Sequence, residues 1–267
     1  MTQPRLVPDG IAADRPNVAR LYDYFLGGHH NFAADRELAG KLLEAEPLAR
    51  YIVAENRAFL GRAVRCLISA GIGQFVDLGS GIPTQENVHE IAQRGNPDAR
   101  VVYVDNDPVA VAHSKHILRG NPLATALRAD MRVPEAVLGH PDVSALIDFS
   151  QPVGLLMITV LHFVPDSDDP AGVVGRFASE LAPGSFLAIS HATHEAAPGS
   201  VAQVQDLYTS TTASAHTRTS AEIMRFFADF DLVEPGLVYM PLWRPDGAPP
   251  EHPERAWFYA GVGRKPG

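Results

Sequence analysis

A glycine-containing loop, Asp77-Leu-Gly79-Ser-Gly81-Ile-Pro83, is the segment of this sequence best suited to bind a ligand. It follows a short apolar run and precedes a stretch with helical spacing. Glycine lets backbone amides approach a ligand closely, and the first turn of a helix offers unpaired N–H donors. A strand-to-helix turn also uses glycine for steric reasons alone. The loop by itself therefore indicates only that a ligand or a helix comes close.

A second acidic residue narrows the kind of ligand. Asp105 lies 26 residues after Gly79, at the end of the apolar run Arg100–Val104. A carboxylate at the end of a second parallel strand can accept hydrogen bonds from the ribose hydroxyls of a nucleoside. The loop and Asp105 together predict a cofactor that contains a nucleoside.

Two classes of cofactor are bound by this arrangement of loop and carboxylate, and the loop favours one of them. Dinucleotide loops usually have a third glycine, and here that position is Thr84, preceded by Pro83. Asp77 would repel a pyrophosphate but attract a sulfonium or an α-amino group. These features favour S-adenosylmethionine over a nicotinamide dinucleotide, and so a methyltransferase over an oxidoreductase.

Alternating strands and helices must position these residues. From residue 73 onward, apolar runs typical of buried parallel strands alternate with helical stretches, whereas the chain before it is helical. We expect a helical cap over residues 1–72 and a cofactor-binding domain over residues 73–267. The predicted strands are Gln74–Leu78, Arg100–Val104, Ala124–Arg128, Val153–Val160, Ser185–Ser190, Asp231–Tyr239 and Ala256–Val262.

Helical spacing and end signals predict the intervening helices. A first helix starts near Pro16 and stops at Gly27, and the last starts at the capping-box pattern Thr219–Glu222 and ends near Phe227. The other predicted helices are Ala34–Glu44, Pro47–Ala70, Thr84–Arg94, Pro108–Leu118 and Pro170–Leu181. A Pro-rich loop, and no helix, joins the last two strands, so we expect them to pair antiparallel.

The motif series resembles that of class I methyltransferases, with D-x-G-x-G at the first strand, V-D-x-D-P at the second and Ala129-Asp130 after the third. A narrower similarity covers nearly the whole chain. Asn17–Asp35, Asn56–Arg65, the loop DLGSGIPT and Trp243-Arg-Pro245 resemble the actinobacterial S-adenosyl methyltransferase family, long catalogued as a domain of unknown function. The resemblance implies an α/β fold with a Rossmann-like, doubly wound, seven-stranded sheet. It also implies the strand order 3-2-1-4-5-7-6 with the last strand antiparallel, and S-adenosylmethionine as the cofactor.

The same resemblance implies which residues contact the cofactor. It places the loop glycines and Asp77 around the methionine portion, Asp105 at the ribose, and Asp130 near the adenine amino group. Asp130 also fits another role, a turn-forming residue whose side chain bonds its own backbone. Pro83 departs from the glycine common in class I enzymes, which leaves the path of the backbone there open. The predicted cofactor contacts are Asp77, Gly79, Ser80, Gly81, Asp105, Asn106, Asp130, Met131 and Thr159.

Methyl transfer needs a positioned acceptor and in some enzymes a base for its proton. His162 directly follows the fourth strand, whose end faces the ligand crevice, and it is the predicted general base. A structural role fits it as well. The residues predicted to line the acceptor pocket are Tyr22, Asn31, His191, Arg218 and Trp243. For these residues the alternatives are packing, loop polarity or surface ion pairs.

We predict no metal site. His191, His194 and Glu195 form an H-x-x-H-E pattern, but the two-histidine zinc patterns place the glutamate elsewhere and on a helix. The single cysteine, Cys66, excludes an internal disulfide and a multi-thiolate site.

Charge and hydropathy exclude several classes of function. A net charge of -9 without a basic stripe argues against a nucleic-acid partner. The first ten residues lack the apolar core of a signal peptide, and the longest apolar run, Gly154–Leu161, is too short to span a bilayer. We therefore expect a cytoplasmic enzyme that methylates oxygen or nitrogen of a small molecule, with no membrane contact. A homodimer is left open.

The alternative is a non-catalytic S-adenosylmethionine-binding sensor or assembly module. Such a protein would keep the carboxylates and glycines of the cofactor loop but would lack an acceptor pocket. The two hypotheses therefore differ in what lies beside the cofactor residues.

Overall fold

The computed structural model describes residues 13–83 and 86–267. Three helices come first, and helices then alternate with strands. The helices are α1 (Val18–Phe25), α2 (Ala33–Ala45), α3 (Ala49–Ser69), α4 (Val88–Gly95), α5 (Pro108–Ile117), α6 (Pro134–Leu138), α7 (Pro141–Ser144), α8 (Pro170–Glu180), α9 (Pro198–Tyr208) and α10 (Ser220–Met224). The strands are β1 (Gln74–Leu78), β2 (Arg100–Asp105), β3 (Ala124–Arg128), β4 (Gly154–Ile158), β5 (Phe186–Ala192), β6 (Asp231–Leu232), β7 (Val238–Tyr239) and β8 (Phe258–Arg264).

Within the described residues, the eight strands form one sheet. Its order is β3-β2-β1-β4-β5-β8-β6, and β7 pairs with β8 beside this path. The first five strands are parallel, and β8 runs antiparallel to β5. The predicted class I methyltransferase fold is confirmed, with its sixth strand divided in two.

The division of the sixth strand corrects the prediction of one strand over Asp231–Tyr239. Pro235 has no N–H to give to a ladder, and Gly236 adopts φ +86° and donates its N–H to the carbonyl of Val233 at 2.8 Å. The resulting turn separates β6 from β7. Both pieces still pair antiparallel with β8, as predicted.

The helix after the glycine loop begins later than predicted. Asn87 precedes α4 as its N-cap residue, and Glu90 Oε2 accepts the Asn87 backbone N–H at 2.8 Å. Thr84, the predicted first residue of this helix and last residue of the loop, lies outside the described residues. Helices α6, α7 and α9 have no counterpart in the sequence prediction.

The sheet separates two apolar clusters. Successive side chains of β2, Val101 and Val102, enter opposite clusters, as the two-residue period of a strand requires. Leu21 of α1 and Phe59 of α3 belong to the same cluster as Phe75 of β1. The N-terminal helices therefore share a core with the sheet that carries the glycine loop.

A buried ion pair fixes α1 against α2. Arg20 Nε lies 2.8 Å from Asp35 Oδ2, and both side chains are buried. The same carboxylate accepts the backbone N–H groups of Asn17 and Phe32, at 2.9 and 2.7 Å. These two residues precede α1 and α2, so Asp35 holds the starts of both helices.

Replacing Asp35 with alanine should destabilise the protein strongly. Removing one partner of a buried ion pair typically costs about 3–5 kcal/mol, because the other charge stays buried. We expect the free energy of unfolding, measured in urea, to fall by that order. The double variant with Arg20→Met serves as the control and should recover part of the loss. An unchanged urea midpoint for Asp35→Ala would contradict this role.

Candidate functional site

A cavity of about 780 Å³ opens at the carboxyl ends of the parallel strands. The segments after β1, β2, β3 and β4 form one wall, and α1, α3 and α9 contribute the opposite side. Open parallel sheets bind ligands at this edge, and the volume is in the usual range for small-molecule sites. The fold therefore places a ligand site where the sequence motifs converge.

All nine residues predicted to contact the cofactor line this cavity. His162, the predicted base, and Tyr22, one of the predicted acceptor residues, line it as well. The motifs lie at strand ends, and the parallel register brings those ends together.

The glycine loop is shaped by two left-handed residues. Gly79 and Gly81 have φ of +70° and +66°, a region that side chains disfavour. A Cβ on Gly79 would lie 2.2 Å from Val160 Cγ2, whereas a Cβ on Gly81 would meet nothing within 4 Å. The Gly81 N–H donates to Asp105 Oδ2 at 2.8 Å. The loop is thus bonded to the end of β2 and leaves open space beside Gly81, where a ligand can approach the backbone.

Two buried carboxyl groups flank this loop. Burial raises the pKa of Asp77 to about 7, opposed by the charge of Arg57 and reinforced by that of Asp105. Burial also raises the pKa of Asp105 to about 6, opposed by the N–H groups of Asp107 and Gly81. A cation in the cavity would offset the cost of ionising both groups. The cationic groups and ribose hydroxyls of S-adenosylmethionine fit this donor and acceptor set.

Asp130 adopts the turn-forming role that the sequence left open. Its Oδ1 accepts the backbone N–H of Arg132 at 2.9 Å, and its Oδ2 accepts from Arg132 Nη2 at 2.6 Å. Hydrogen bonds from Arg132 hold the pKa of Asp130 below its usual range. The predicted contact with the adenine amino group stays a prediction.

A chain of hydrogen bonds joins the end of β4 to α1. The backbone N–H of Thr159, which has φ +58°, donates to Ser190 Oγ at 3.0 Å. Ser190 Oγ donates to Asn56 Oδ1 at 2.5 Å, and Asn56 Nδ2 donates to the hydroxyl of Tyr22 at 2.9 Å. Ser190 and Asn56 were not among the predicted site residues. The sequence feature that could have identified them is a polar residue in an otherwise apolar strand, for Ser190, or on an otherwise apolar helix face, for Asn56.

His162 lies in a 3₁₀ turn, Leu161–Phe163, directly after β4. Its carbonyl accepts the backbone N–H of His216 at 2.6 Å, and its ring nitrogen Nδ1 is buried without a hydrogen-bond partner. Burial holds the pKa of His162 well below its ordinary value, and the charges of His191, Arg218 and His216 lower it further. The imidazole is therefore neutral near pH 7.

Arg218 and His191 do not line the cavity, contrary to the sequence prediction. Arg218 is buried and donates to the carbonyls of Leu161 and Val164, at 3.2 and 2.8 Å, and to Asp166 Oδ1 at 2.6 Å. His191 Nε2 lies 2.9 Å from Arg218 Nη1. Both side chains instead hold the turn that carries His162.

Asn31 and Trp243 also lie away from the cavity. Asn31 Nδ2 donates to Asp23 Oδ2 at 3.0 Å, within the turn after α1. Trp243 is fully buried, packs edge-on against Phe59, and its carbonyl accepts from Arg62 Nε at 2.8 Å. Trp243 therefore has the packing role that was its alternative in the sequence analysis.

The half of the cavity facing α3 and α9 is mostly apolar. These residues were not among the predicted site residues, because the sequence pattern did not predict α9 and the apolar positions of α3 were interpreted as packing. The side chains that line this half, which we call the apolar half, are Phe25, Leu42, Ile52, Val53, Leu60, Phe163, Val204, Tyr208, Trp257 and Phe258.

In the described part of the chain, no group of three or more His, Cys, Asp or Glu side chains is arranged to hold a metal ion. His194 Nδ1 lies 3.1 Å from Thr217 Oγ1, and Glu195 accepts from Ser220. No helix within the described ranges is both long and apolar enough to cross a membrane.

Comparison with known proteins identifies the family. A model described as S-adenosyl methyltransferase matches residues 5–266 of the chain. The chain belongs to this family. It is a methyltransferase that uses S-adenosylmethionine, as the loop and its carboxylates predicted.

Two crystal structures resemble this S-adenosyl methyltransferase over nearly their whole length. A candidate methyltransferase from Thermobifida fusca YX is 42% identical, with a TM-score of 0.93 and coverage of 98% of this chain and 99% of its own. A DUF574 family protein from Streptomyces avermitilis MA-4680 is 39% identical, with a TM-score of 0.92 and coverage of 95% and 99%. The search of curated proteins found no match.

The two loop glycines of this S-adenosyl methyltransferase should respond differently to alanine. Gly79→Ala adds a steric overlap with Val160 to the backbone strain, and overpacking alone costs about 1–3 kcal/mol. Gly81→Ala carries only the strain, about 1–2 kcal/mol, but its methyl group enters the open space beside the loop. We expect urea unfolding to show the larger loss for Gly79→Ala.

Calorimetry should show Gly81→Ala folded but about tenfold weaker for S-adenosylmethionine, which corresponds to ~1.4 kcal/mol. Each variant is the control for the other. Wild-type affinity in Gly81→Ala would mean that the cofactor does not approach this part of the loop.

Proposed function

We propose that this enzyme methylates oxygen or nitrogen of a small, largely apolar molecule held in the apolar half of the cavity. The observation that carries the proposal is the character of that half, where aromatic and aliphatic side chains from α1, α3, α9 and β8 meet. Small-molecule sites are typically lined this way, with a few polar groups that set orientation. The lining of the cavity also extends well beyond the nine predicted cofactor contacts, which supports an enzyme over the non-catalytic sensor.

The cofactor would occupy the other half of the cavity. S-adenosylmethionine supplies an electrophilic methyl group on a sulfonium. In this proposal Asp105 accepts from the ribose, Asp77 faces the positive charge, and the loop from Gly79 to Gly81 contacts the methionine portion. Asn106, Asp130 and Met131 would lie toward the adenine, and Thr159 between the two halves.

Three side chains would orient the acceptor. His162 follows Thr159 closely in the chain and lines the cavity, so we assign it contact with the acceptor. Tyr22 reaches the cavity from α1, and its hydroxyl is held by Asn56. Burial raises the pKa of Tyr22, which keeps the hydroxyl protonated, and the hydroxyl donates a long hydrogen bond of 3.4 Å to the carbonyl of Val53 that an acceptor could replace. Gln205 of α9 adds a polar group on the opposite side.

Other sequence-based expectations remain proposals. We keep the division into a cap over residues 1–72 and a methyltransferase domain over 73–267, with α1 and α2 covering the site. A cytoplasmic location, the lack of a nucleic-acid partner and the choice between monomer and homodimer likewise rest on the sequence alone.

Affinity for S-adenosylmethionine should rise with pH. The pKa of Asp77 is raised from 3.8 to about 7, so its charge is lost as the pH falls through that value. We therefore expect calorimetric affinity to increase from about pH 6 to about pH 8 and then level off. Asp77→Asn should weaken binding about tenfold or more at the higher pH and flatten the profile.

The stability of the cofactor-free protein should change in the opposite sense. A carboxyl whose folded pKa is raised loses stability as the pH rises from about 4 to about 7, because the unfolded chain ionises first. Asp77→Asn removes this loss, so urea unfolding at pH 8 should show equal or greater stability than wild type. Asp142→Asn, the same change on the exposed side of α7, is the matched control and should alter neither quantity. A pH-independent affinity would tell against the role of Asp77.

An acceptor library tests the substrate class. With S-adenosylhomocysteine formation as the readout, we expect apolar phenols or amines to support turnover and short peptides or oligonucleotides to give none. Val204→Trp should fill the apolar half and abolish turnover while leaving cofactor affinity unchanged, since Val204 lines that half. Val133→Trp, on an exposed position outside the cavity, is the control. Undiminished turnover in Val204→Trp would place the acceptor elsewhere.

A further inference from the structure

The two ring nitrogens of His162 have different surroundings. Nδ1 is enclosed and has no hydrogen-bond partner. Nε2 also lacks a partner among the described residues, but it is not enclosed, and the residue lines the cavity. The rings of Phe163, His191 and Phe258 pack around the imidazole, with centroids at 4.2, 5.6 and 5.5 Å.

This asymmetry selects one neutral tautomer. A neutral imidazole has one N–H group and one lone pair. A buried N–H group without an acceptor is rare and costly in folded proteins, and a buried lone pair without a donor is tolerated better. The lone pair of His162 therefore belongs on the enclosed Nδ1, and the proton on Nε2.

A histidine that removes a proton through Nε2 needs the opposite arrangement. Its Nδ1–H is usually held by a carboxylate or a carbonyl, which leaves the lone pair on Nε2. His191 has that arrangement, because its Nδ1 lies 2.8 Å from the carbonyl of Ala192 and its Nε2 accepts from Arg218. Within the described residues, His162 Nδ1 has no such acceptor.

The charges around His162 also oppose protonation of its ring. Arg218 lies close enough to lower its pKa, and the neighbouring His191 and His216 act in the same direction. The carboxylate of Asp166 lies near these positive charges, but it already accepts a hydrogen bond from Arg218 Nη2 at 2.6 Å. A second positive charge on His162 would therefore be poorly compensated.

We propose that His162 is a neutral hydrogen-bond donor that presents Nε2–H to the methyl acceptor, and not the general base that its position in the sequence predicts. This rests on the proposed function, because it places the acceptor in the half of the cavity that His162 faces. The acceptor is then a molecule that needs no proton removed by His162. It is an oxygen already ionised, which accepts from Nε2–H with one lone pair and attacks the methyl carbon with another, while the bond from that carbon to sulfur breaks and S-adenosylhomocysteine leaves.

Nitrogen-15 NMR of the histidine rings tests this directly in the full-length wild-type chain. Two-bond proton–nitrogen spectra report which ring nitrogen carries hydrogen, and the His162 signals are assigned by their loss in His162→Gln. We expect a protonated Nε2 and an unprotonated Nδ1 that do not titrate between about pH 5 and about pH 8. His191, assigned by its own variant, should show the opposite tautomer and serves as the internal control.

Hydrogen on Nδ1 of His162, or titration of the ring near the ordinary histidine value, would overturn the proposal and support the general base. If His162→Gln fails to fold, the signals missing from the spectrum of His162→Asn give the assignment. Repeating the spectra with S-adenosylhomocysteine and an apolar phenol from the acceptor library separates the two claims. Absence of any ligand-induced change would tell against the proposed function, whereas the tautomer is read with or without the ligand.

Discussion

The burial of two carboxyl groups at the ends of adjacent strands is the constraint on which the rest of this site depends. The parallel register that aligns β1 with β2 brings Asp77 and Asp105 to the same edge of the sheet. Water cannot solvate them fully, so the protein supplies the backbone N–H groups of Gly81 and Asp107 to Asp105. The left-handed conformations of Gly79 and Gly81 shape the loop so that the Gly81 N–H reaches the Asp105 carboxylate. The burial of the two carboxyl groups explains why a cationic cofactor suits the cavity, since its charge offsets what the backbone leaves uncompensated.

The strand-end side of the cavity could be predicted from the sequence because short local motifs specify it. A motif at the end of a strand fixes both the residue and the face it presents, so Asp77, Asp105 and the loop glycines lie where expected. The parallel order follows from apolar runs separated by helices. The error in strand number arose in the antiparallel part, where Pro235 and Gly236 interrupt an otherwise apolar stretch. Alternation of hydropathy alone does not reveal such a break.

The apolar half was harder to predict, because the direction of each side chain decides whether a residue lines it. Ser190 and His191 are neighbours in β5, and successive strand residues face opposite sides of the sheet. Ser190 bonds Asn56 of α3, whereas His191 points to Arg218 on the other side, so the predicted pocket residue His191 faces away from α3. Helix α9 was missed although Val201 and Val204 recur at helical spacing after Pro198. The role of Arg218 could not be predicted either, because the carbonyl groups that it binds, those of Leu161 and Val164, are far away in sequence.

The contact between Gly79 and Val160 has a consequence for how the enzyme can diversify. The position that a side chain at 79 would need is occupied by Val160, two residues before His162. A larger residue at 160, or an insertion in that turn, would displace the glycine loop as well as His162. Homologues that acquire new acceptors should therefore accumulate their changes on α9 and on the facing side of α3. The turn after β4 contacts the glycine loop through Val160 and should therefore evolve together with that loop.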